Sequence, residues 1–384
     1  MEGSKLKDTR KNDMNLQKRI DSVLKKNKAN NAMKNFIKNS KLELEPLKYV
    51  SIMTTSVCTS NCVYCPYPYA WTTMNPGYMK DELYEKIVLD IKNTYPGFGG
   101  HYSYQNGNEP TADPKFLERM EYFYQQLPNT RINFPTNANL LSPERSQKLI
   151  DLMLKYEDFN DGRIHYGILV HFGGTDKESW EEIMGSRYQY EDVVKNIQSL
   201  LEYNNKRDNI IPIDIMGYHG ADPHGSSVFS MEEQVSYTKE NIDLWFYEPE
   251  DYRKHLSSLF DGYGQYSWNT MLFQNRAGDL RLFDEWRGNK QVREIGPDNE
   301  FTCARFFDGK GLHVLYDGSV TVCCNDWQKR NILGNLSTQT ISELFDSEEY
   351  KEFMYMGHGY ISSPPDFICK LCTDMQAIQD EGMS

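Results

Sequence analysis

The sequence contains no apolar run long enough to cross a membrane and no recognisable signal peptide. A membrane-spanning helix needs about 18 or more consecutive apolar residues, and no such run occurs among the 384 residues. The first residues also lack the basic, apolar and small-residue succession of a secretory signal. We therefore expect a cytoplasmic protein with no membrane partner.

An excess of positive charge is missing as well. The formal net charge is −13, whereas proteins that bind nucleic-acid phosphates cluster Lys and Arg, so we expect no nucleic-acid partner. Residues 1–48 depart from this balance, with 13 Lys and Arg against 6 Asp and Glu. We interpret residues 1–45 as a basic helical N-terminal extension, solvated and packed on an acidic body. A docking arm for a substrate or partner is the alternative.

The sequence has no cysteine pattern that indicates a disulfide framework. The eight cysteines fall in short clusters, namely Cys58, Cys62 and Cys65, then Cys303, then Cys323 and Cys324, and finally Cys369 and Cys372. Such clusters are typical of metal binding in a reducing compartment. Each cluster is therefore a candidate set of metal ligands.

The first cluster, Cys58, Cys62 and Cys65, follows a β-rich run at residues 49–54. Thiolates are the usual ligands of iron–sulfur clusters, and three of them can hold three irons of a [4Fe–4S] cube and leave the fourth open. A structural zinc site normally has a CxxC pair and a second ligand pair. Zinc with a missing ligand and reduced core cysteines are therefore the weaker interpretations.

The spacing CxxxCxxC, with Tyr64 before the last cysteine, resembles the signature of radical S-adenosylmethionine (SAM) enzymes. The resemblance implies that SAM binds the open iron through its amino and carboxylate groups. It also implies reductive cleavage of SAM to a 5′-deoxyadenosyl radical, which takes a hydrogen atom from the substrate, while the protein supplies positioning. An electron donor such as flavodoxin or ferredoxin is an implied partner.

Strand and helix patterns alternate after the first cluster. Strands are predicted at residues 49–54, 101–105, 131–135, 164–171, 210–216 and 244–247, with helices at 82–95, 115–126, 143–156, 177–204 and 231–241. This alternation predicts an α/β fold with a parallel sheet and helices outside it. The resemblance implies a partial (β/α)6 barrel, and six strands match that number. We assign the barrel to residues 46–250 and a connecting segment to residues 251–300.

Polar residues follow the predicted strands, where barrels of this kind hold their functional groups. Gly107, Asn108 and Glu109, followed by Pro110, come after the second strand and resemble the family's Gly-Gly-Glu motif, which binds the SAM amino group. The middle position departs from the motif, with Asn in place of Gly. Glycine allows a close approach of the backbone to a ligand, and a carboxylate accepts hydrogen bonds from an ammonium group.

Three further positions are candidate SAM contacts by the same resemblance. Asn137, after the third strand, and His171, after the fourth, fall where the family places ribose or carboxylate contacts. A buried histidine that only makes structural hydrogen bonds is an equal alternative for His171. Met216, after the fifth strand, could contact adenine, although core packing explains it as well.

Residues 301–384 carry a second set of thiols. A β-hairpin is predicted around Asp317 and Gly318, and it carries Cys323 to the end of its second strand, ahead of a helix at residues 342–354. The four candidate ligands are Cys303, Cys323, Cys369 and Cys372, which would also suit zinc. The arrangement resembles the SPASM/Twitch extension of radical SAM enzymes, which implies an auxiliary [4Fe–4S] cluster. No cysteine follows Cys372, as in the one-cluster form.

Cys324 is left over from both ligand sets. Adjacent residues project to opposite faces of a strand, so Cys323 and Cys324 are not both expected to bind one cluster. A small buried apolar residue is one interpretation of Cys324. The other is a thiol that donates a hydrogen atom to a substrate radical, as the resemblance to radical SAM epimerases implies. The roles of Cys323 and Cys324 could also be exchanged.

Three functions follow from these patterns. The first is abstraction of hydrogen from a small metabolite, such as a sugar, cyclitol or aminoglycoside, by an oxidoreductase or epimerase. Epimerisation would use Cys324, and alcohol oxidation would use a base among His171, His219 and Glu248. The second is modification of a peptide, as in SPASM-type peptide-maturing enzymes. The third is a non-enzymatic iron–sulfur or zinc binding protein.

Overall fold

The computed structural model describes residues 47–67, 76–104, 107–219, 247–272, 310–357, 359 and 361–372. The predicted N-terminal extension, the predicted helix at residues 231–241 and the candidate ligand Cys303 lie outside these residues. Within the described part of the chain, no helix is long and apolar enough to span a membrane.

A mixed sheet of nine strands organises the described chain. Its strands are β1 (Leu47–Ile52), β2 (His101–Ser103), β3 (Arg131–Thr136), β4 (Gly167–His171), β5 (Ile213–His219), β6 (Ser267–Leu272), β7 (Lys310–Val314), β8 (Ser319–Thr321) and β9 (Ile332–Asn335). The spatial order is β6-β5-β4-β3-β2-β1-β7-β8-β9. The strands from β6 to β7 in this order pair in parallel, and β8 and β9 are antiparallel. The predicted α/β fold, a partial barrel with a small C-terminal hairpin and helix unit, is confirmed.

Helices connect the strands and cover the sheet. They are α1 (Asp81–Thr94), α2 (Phe116–Gln126), α3 (Pro143–Tyr156), α4 (Lys177–Met184), α5 (Tyr190–Asn205), α6 (Pro249–Phe260), α7 (Ile341–Asp346), α8 (Glu348–Gly357) and α9 (Ile368–Leu371). Each long helix buries one apolar face; on α1 this face includes Ile87, Val88 and Ile91. Burying an aliphatic side chain of this size contributes about 1.5–3 kcal/mol.

Two predicted helices are each divided into two in the structure. The prediction at residues 177–204 becomes α4 and α5, because Gly185 takes a left-handed conformation with φ of 49° and ends α4. The prediction at residues 342–354 becomes α7 and α8, because the backbone of Ser347 is extended. Helical spacing continues across both breaks, so apolar periodicity alone did not reveal them.

The strand predicted at residues 244–247 lies almost wholly outside the described residues. Within the predicted strand at residues 244–247, only Tyr247 is described, and it lies in the loop before α6. The sixth strand is β6, which pairs with β5 from Asp214 opposite Ser267 to His219 opposite Leu272. The parallel sheet therefore extends into the segment at residues 251–300, which was interpreted as a connection because it is rich in Gly and Tyr.

The C-terminal hairpin continues the sheet of the barrel. Its first strand, β7, pairs in parallel with β1, where Val50 lies opposite Leu312. The Met53 N–H donates to the Val314 carbonyl over 2.8 Å and extends this pairing. The residues that follow the hairpin are therefore held beside the carboxyl ends of the barrel strands.

The predicted hairpin around Asp317 and Gly318 is present, and Gly318 adopts φ of 85° in its turn. Its second strand, β8, ends at Thr321, however. Cys323 and Cys324 lie in the bend and turn that follow rather than on the strand. The expectation that strand geometry separates these two thiols was therefore wrong, because the strand ends too early.

The amino end of the barrel contains a histidine whose titration should affect stability. The ring of His101 packs edge-on against Tyr166, with 4.4 Å between ring centroids. Burial lowers the pKa of His101 to about 4, and the charges of Arg131 and His165 act in the same direction. An unfolded histidine titrates near 6.5, so between these values the unfolded chain binds a proton that the folded chain does not.

We expect the free energy of unfolding to fall as the pH drops from about 6.5 to about 4. The loss from His101 is about 1–2 kcal/mol after allowance for its partial contact with water. Replacement of His101 by Gln should reduce the pH dependence in this window, as measured by urea unfolding at pH 5 and pH 7. An unchanged dependence in His101→Gln would show that other groups cause it.

Candidate functional site

A cavity of about 320 Å³ lies at the carboxyl ends of the barrel strands. It is lined by the three clustered thiols, Cys58, Cys62 and Cys65. Most of the predicted SAM contacts also line it, namely Tyr64, Gly107, Asn108, Glu109, Asn137 and His171. Cys324 lines the same cavity, whereas Cys323 and Met216 do not. The fold thus brings together residues from the loops after β1, β2, β3, β4 and β8.

The cavity also has lining residues that sequence reasoning missed. They include Tyr49, Ser103, Asn133 and Trp327. Period-two alternation could have identified Ser103 and Asn133, because both lie between buried apolar neighbours on predicted strands. Nothing local in the sequence places Trp327 there.

The loop of residues 58–65 is held in place by backbone hydrogen bonds to the end of α4. The Asn61 N–H donates to the Gly185 carbonyl over 3.0 Å, and the Val63 N–H donates to the Ile183 carbonyl over 3.0 Å. A Cβ atom on residue 185 would lie 2.6 Å from the Asn61 carbonyl oxygen. The left-handed glycine therefore ends α4 and also allows the cysteine loop to approach it.

Burial disfavours the anionic form of two of the three clustered thiols. Burial raises the pKa of Cys58 well above its ordinary value, and the neighbouring Cys62 adds to the rise. Burial also raises the pKa of Cys62 to about 12, with a contribution from Cys65. Cys58 and Cys62 are therefore neutral unless iron replaces their protons.

Within the described residues, no three His, Cys, Asp or Glu side chains converge on one metal ion. A [4Fe–4S] cube binds its thiolates through separate irons, so it does not require such convergence. Three soft donors that share one cavity therefore fit a cube.

Glu109 connects the loops around the cavity. Its Oε1 accepts hydrogen bonds from the Thr111 N–H at 3.0 Å and the Thr136 hydroxyl at 2.8 Å, and its Oε2 accepts one from the Asn137 N–H at 2.8 Å. The Glu109 N–H donates to the Val57 carbonyl over 3.0 Å. Burial raises the pKa of Glu109, and the hydrogen bonds from Thr111, Asn137 and Thr136 oppose the rise. The carboxylate thus orders the ends of β2 and β3 beside the cysteine loop.

The amide side chains after β3 hold the first part of the cysteine loop. Asn137 Nδ2 lies 3.8 Å from Cys58 Sγ and 3.1 Å from Thr59 Oγ1. Asn139 Nδ2 donates to Thr59 Oγ1 at 2.9 Å and to Ser60 Oγ at 3.0 Å. Asn137 therefore contacts a candidate cluster ligand directly, in addition to lining the cavity.

Aromatic rings form one wall of the cavity. Tyr64 stacks on Tyr218 with 4.1 Å between ring centroids, and the His171 ring lies nearly parallel to the Tyr218 ring with 5.7 Å between centroids. Stacked rings exclude water from this wall and restrict the orientation of the cysteine loop. His171 is half-buried and lines the cavity, so it is not a wholly enclosed core histidine.

The other two candidate bases are placed differently. Glu248 is exposed and immediately precedes α6, and it is not among the residues that line the cavity. His219 ends β5, and its side chain is outside the described part of the structure. The cavity therefore offers His171 as its described candidate base.

Gly107 contacts a residue of the C-terminal unit. Its φ is 93°, and a Cβ atom built on it would lie 2.7 Å from Cζ3 of Trp327. The sequence suggested that this glycine admits a ligand. The structure shows that it admits the Trp327 ring, which closes the cavity from the side of the hairpin.

We expect Gly107→Ala to lower the free energy of unfolding by about 1–3 kcal/mol, through the left-handed backbone and the overlap with Trp327. The double variant Gly107→Ala, Trp327→Ala should lose less stability than the sum of the two single variants. Urea unfolding of the three variants measures the coupling, expected at about 0.5–3 kcal/mol. Additive losses would contradict the contact.

The C-terminal thiols lie near the turn after β8. Cys369 on α9 and Cys372 at its end are both buried. Asn325 Nδ2 donates to Cys372 Sγ at 3.6 Å, which places Cys372 beside the turn that contains Cys323. Buried thiols grouped in this way fit an auxiliary iron–sulfur cluster, for which the fourth candidate ligand, Cys303, is outside the described residues.

Two family profiles match this chain. Residues 52–224 match the radical SAM superfamily, and residues 303–373 match SPASM, an iron–sulfur cluster-binding domain. The resemblance inferred from the cysteine spacings is thereby confirmed. The cofactors of such a chain are a SAM-binding [4Fe–4S] cluster, auxiliary iron–sulfur and SAM, as predicted.

Similar proteins cover most of the chain. The cysteine-type anaerobic sulfatase-maturating enzyme of Clostridium perfringens (strain 13 / Type A) is 24% identical over 328 residues, which are 81% of this chain and 83% of the relative. The structure of native anSMEcpe with bound AdoMet has a TM-score of 0.51 at 16% identity and covers 88% of this chain and 92% of that chain. Streptococcus suis SuiB bound to precursor peptide SuiA has a TM-score of 0.50 at 12% identity, with coverages of 89% and 80%. At these identities the two structures show a shared fold.

Proposed function

This chain is a radical SAM enzyme with a C-terminal SPASM domain, and on that basis we propose that it modifies a peptide substrate by hydrogen-atom abstraction. The observation that supports this chemistry is that Cys58, Cys62, Cys65, Glu109 and Cys324 line one cavity. A non-enzymatic binding protein would not need polar side chains from five loops around its thiols.

The peptide substrate is supported by the relatives. The curated relative from Clostridium perfringens, which matches 81% of this chain, is a sulfatase-maturating enzyme. SuiB, which shares the fold, was solved with a precursor peptide. A small sugar or cyclitol is the second candidate substrate, because a thiol in the cavity serves epimerisation of either substrate class.

In this proposal the first cluster is bound by Cys58, Cys62 and Cys65. SAM is bound by the loops that contain Gly107, Asn108 and Asn137, and by the side chains of Tyr64 and His171. The bound cluster and SAM together supply the radical that removes hydrogen from a substrate C–H bond. Glu109 orders these loops, and the stacked rings of Tyr64 and Tyr218 exclude water. Cys303, Cys323, Cys369 and Cys372 hold the auxiliary cluster.

Cys324 returns a hydrogen atom to the substrate carbon in this proposal. Its S–H bond breaks and a C–H bond forms, which leaves a sulfur radical. One electron from a donor such as flavodoxin or ferredoxin, and one proton from water, then restore the thiol. If the hydrogen returns to the opposite face of the carbon, the residue is inverted.

The experiment uses the full chain with both clusters, SAM and dithionite in D₂O. A pool of short synthetic peptides is the test substrate, and myo-inositol is tested in parallel. We expect 5′-deoxyadenosine to form and one solvent deuterium to enter the peptide for each turnover. The Cys324→Ala variant should still form 5′-deoxyadenosine but should add no deuterium.

Two results would overturn parts of this proposal. If Cys324→Ala incorporates deuterium as the wild type does, Cys324 is not the donor. If the polyol is altered while the peptide remains unchanged, the second substrate class replaces the first.

A further inference from the structure

A row of polar side chains crosses the barrel just below the candidate site. Ser51 of β1 lies in register with His313 of β7 on one side and with Ser103 of β2 on the other. Ser103 is in turn opposite Asn133 of β3. Residues in register on parallel strands point to the same face of the sheet. Since Ser103 and Asn133 line the cavity, this interior row faces the lumen.

The neighbouring row on the same strands has the opposite character. Val50, Tyr102 and Ile132 are in register with one another and fully buried. Parallel barrels usually fill their lumen with branched apolar residues, and buried polar groups are costly unless they are hydrogen-bonded. The interior row therefore gives this part of the lumen a polar wall.

Asn133 is the member of this row with an amide directed to the cavity. It is half-buried and lines the cavity, and within the described residues its side chain has no hydrogen-bond partner. The position in register on the next strand is Gly167, which has no side chain to pair with it. A carboxamide has one oxygen that accepts hydrogen bonds and an NH₂ group that donates two. Asn133 can therefore bind a group that has both a hydrogen-bond donor and a hydrogen-bond acceptor.

The position of Asn133 separates it from the candidate SAM contacts. It precedes Asn137 by four residues, which is about 13 Å along an extended strand. Asn137 contacts the cysteine loop, whereas Asn133 lies deeper, beside Ser103. The amide therefore reaches a different part of the cavity from the loops that surround the thiols.

The charge of the cavity restricts the group that Asn133 can bind. Among the described lining residues there is no Lys or Arg, and the carboxylate present is Glu109. Both oxygens of Glu109 accept hydrogen bonds from the protein. The described wall therefore favours a neutral ligand group over a carboxylate or a phosphate.

We propose that Asn133, with Ser103 beside it, is a specificity-determining residue that binds a neutral donor-and-acceptor group of the substrate, namely a peptide group. The inference rests on the proposed function for its substrate class. The amide orients the substrate backbone below the thiols, so that one C–H bond is presented to the reaction.

The test measures binding without turnover. The full chain with both clusters, unreduced and with SAM present, is titrated with N-acetylglycine N-methylamide as a peptide-group probe and with myo-inositol as a hydroxyl probe. Ligand-observed NMR gives the affinity for each probe, and equilibrium dialysis gives the SAM affinity. The variants are Asn133→Leu, of similar volume, Asn133→Ala, and Asn160→Leu as a control at an exposed loop position.

We expect Asn133→Leu and Asn133→Ala to weaken binding of the peptide probe by about tenfold, the effect of one or two lost hydrogen bonds. The SAM affinity should stay within about twofold of the wild type, and Asn160→Leu should match the wild type for all three ligands. Iron content and circular dichroism verify that each variant is folded and loaded.

The outcomes separate this inference from the proposed function. Loss of SAM affinity in step with probe affinity would assign the amide to the cofactor and overturn the inference. Equal binding of the peptide probe by wild type and variants, or no binding of either probe by the wild type, would also overturn it. If the wild type binds myo-inositol through Asn133 and ignores the peptide probe, Asn133 keeps its role while the peptide substrate class is wrong.

Discussion

Replacement of Cys58 by alanine is expected to abolish 5′-deoxyadenosine formation and to lower the iron content from about eight to about four atoms per chain. Two thiolates cannot hold the cube firmly. Iron and sulfide analysis of anaerobically reconstituted protein measures the first effect, and chromatography of SAM products measures the second.

The contrasting variant is Cys372→Ala. It should lose the iron of the C-terminal site and keep SAM cleavage, because Cys372 lies beside Asn325 rather than in the cavity. Full iron content and full SAM cleavage in Cys58→Ala would show that the trio does not bind the cluster. The radical chemistry proposed here would then have no basis.

Replacement of Glu109 by alanine should destabilise the fold by about 3–5 kcal/mol. The carboxylate is 2% exposed and accepts hydrogen bonds from Thr111, Thr136 and Asn137. Its removal leaves buried donors without an acceptor, at about 1–3 kcal/mol for each. Urea unfolding of the variant measures the loss, and SAM affinity should fall because the loops after β2 and β3 are no longer joined.

A matched control for this variant is Glu118→Ala in the first turn of α2, where the side chain is exposed. Surface changes of this kind usually stay within about 0.5 kcal/mol. A loss below about 1 kcal/mol in Glu109→Ala would mean that the buried hydrogen bonds contribute little. Weaker SAM binding without loss of stability would instead favour a direct contact between Glu109 and SAM.

Local patterns predicted the elements well where a cap and an apolar face agreed. Helix α3 has the predicted bounds, because Ser142 caps it through the Arg145 N–H and Pro143 occupies its first position. Strand β6 was not predicted, because it lies in a Gly- and Tyr-rich segment without a clear boundary. The end of β8 before Cys323 was also unforeseen, since strand termination there depends on pairing with β9.

The sequence alone identified the radical SAM family with its SPASM domain, and the cofactors of that family. The patterns that carry this information are short-range, so they could be recognised before any fold was known. They are the spacing of Cys58, Cys62 and Cys65, the motif from Gly107 to Glu109, and the C-terminal cysteines. The alternation of strands and helices placed these groups at one end of a barrel by the general rule for parallel strands.

Only the tertiary structure decided which residues meet across the cavity. Three such contacts depend on strand pairing and on packing between distant segments. Trp327 packs against Gly107, Cys324 rather than Cys323 lines the cavity, and Asn133 lies in register with Ser103. Such contacts are set by the register of the whole sheet, where a shift of one residue would turn each side chain to the other face. No local pattern carries that information.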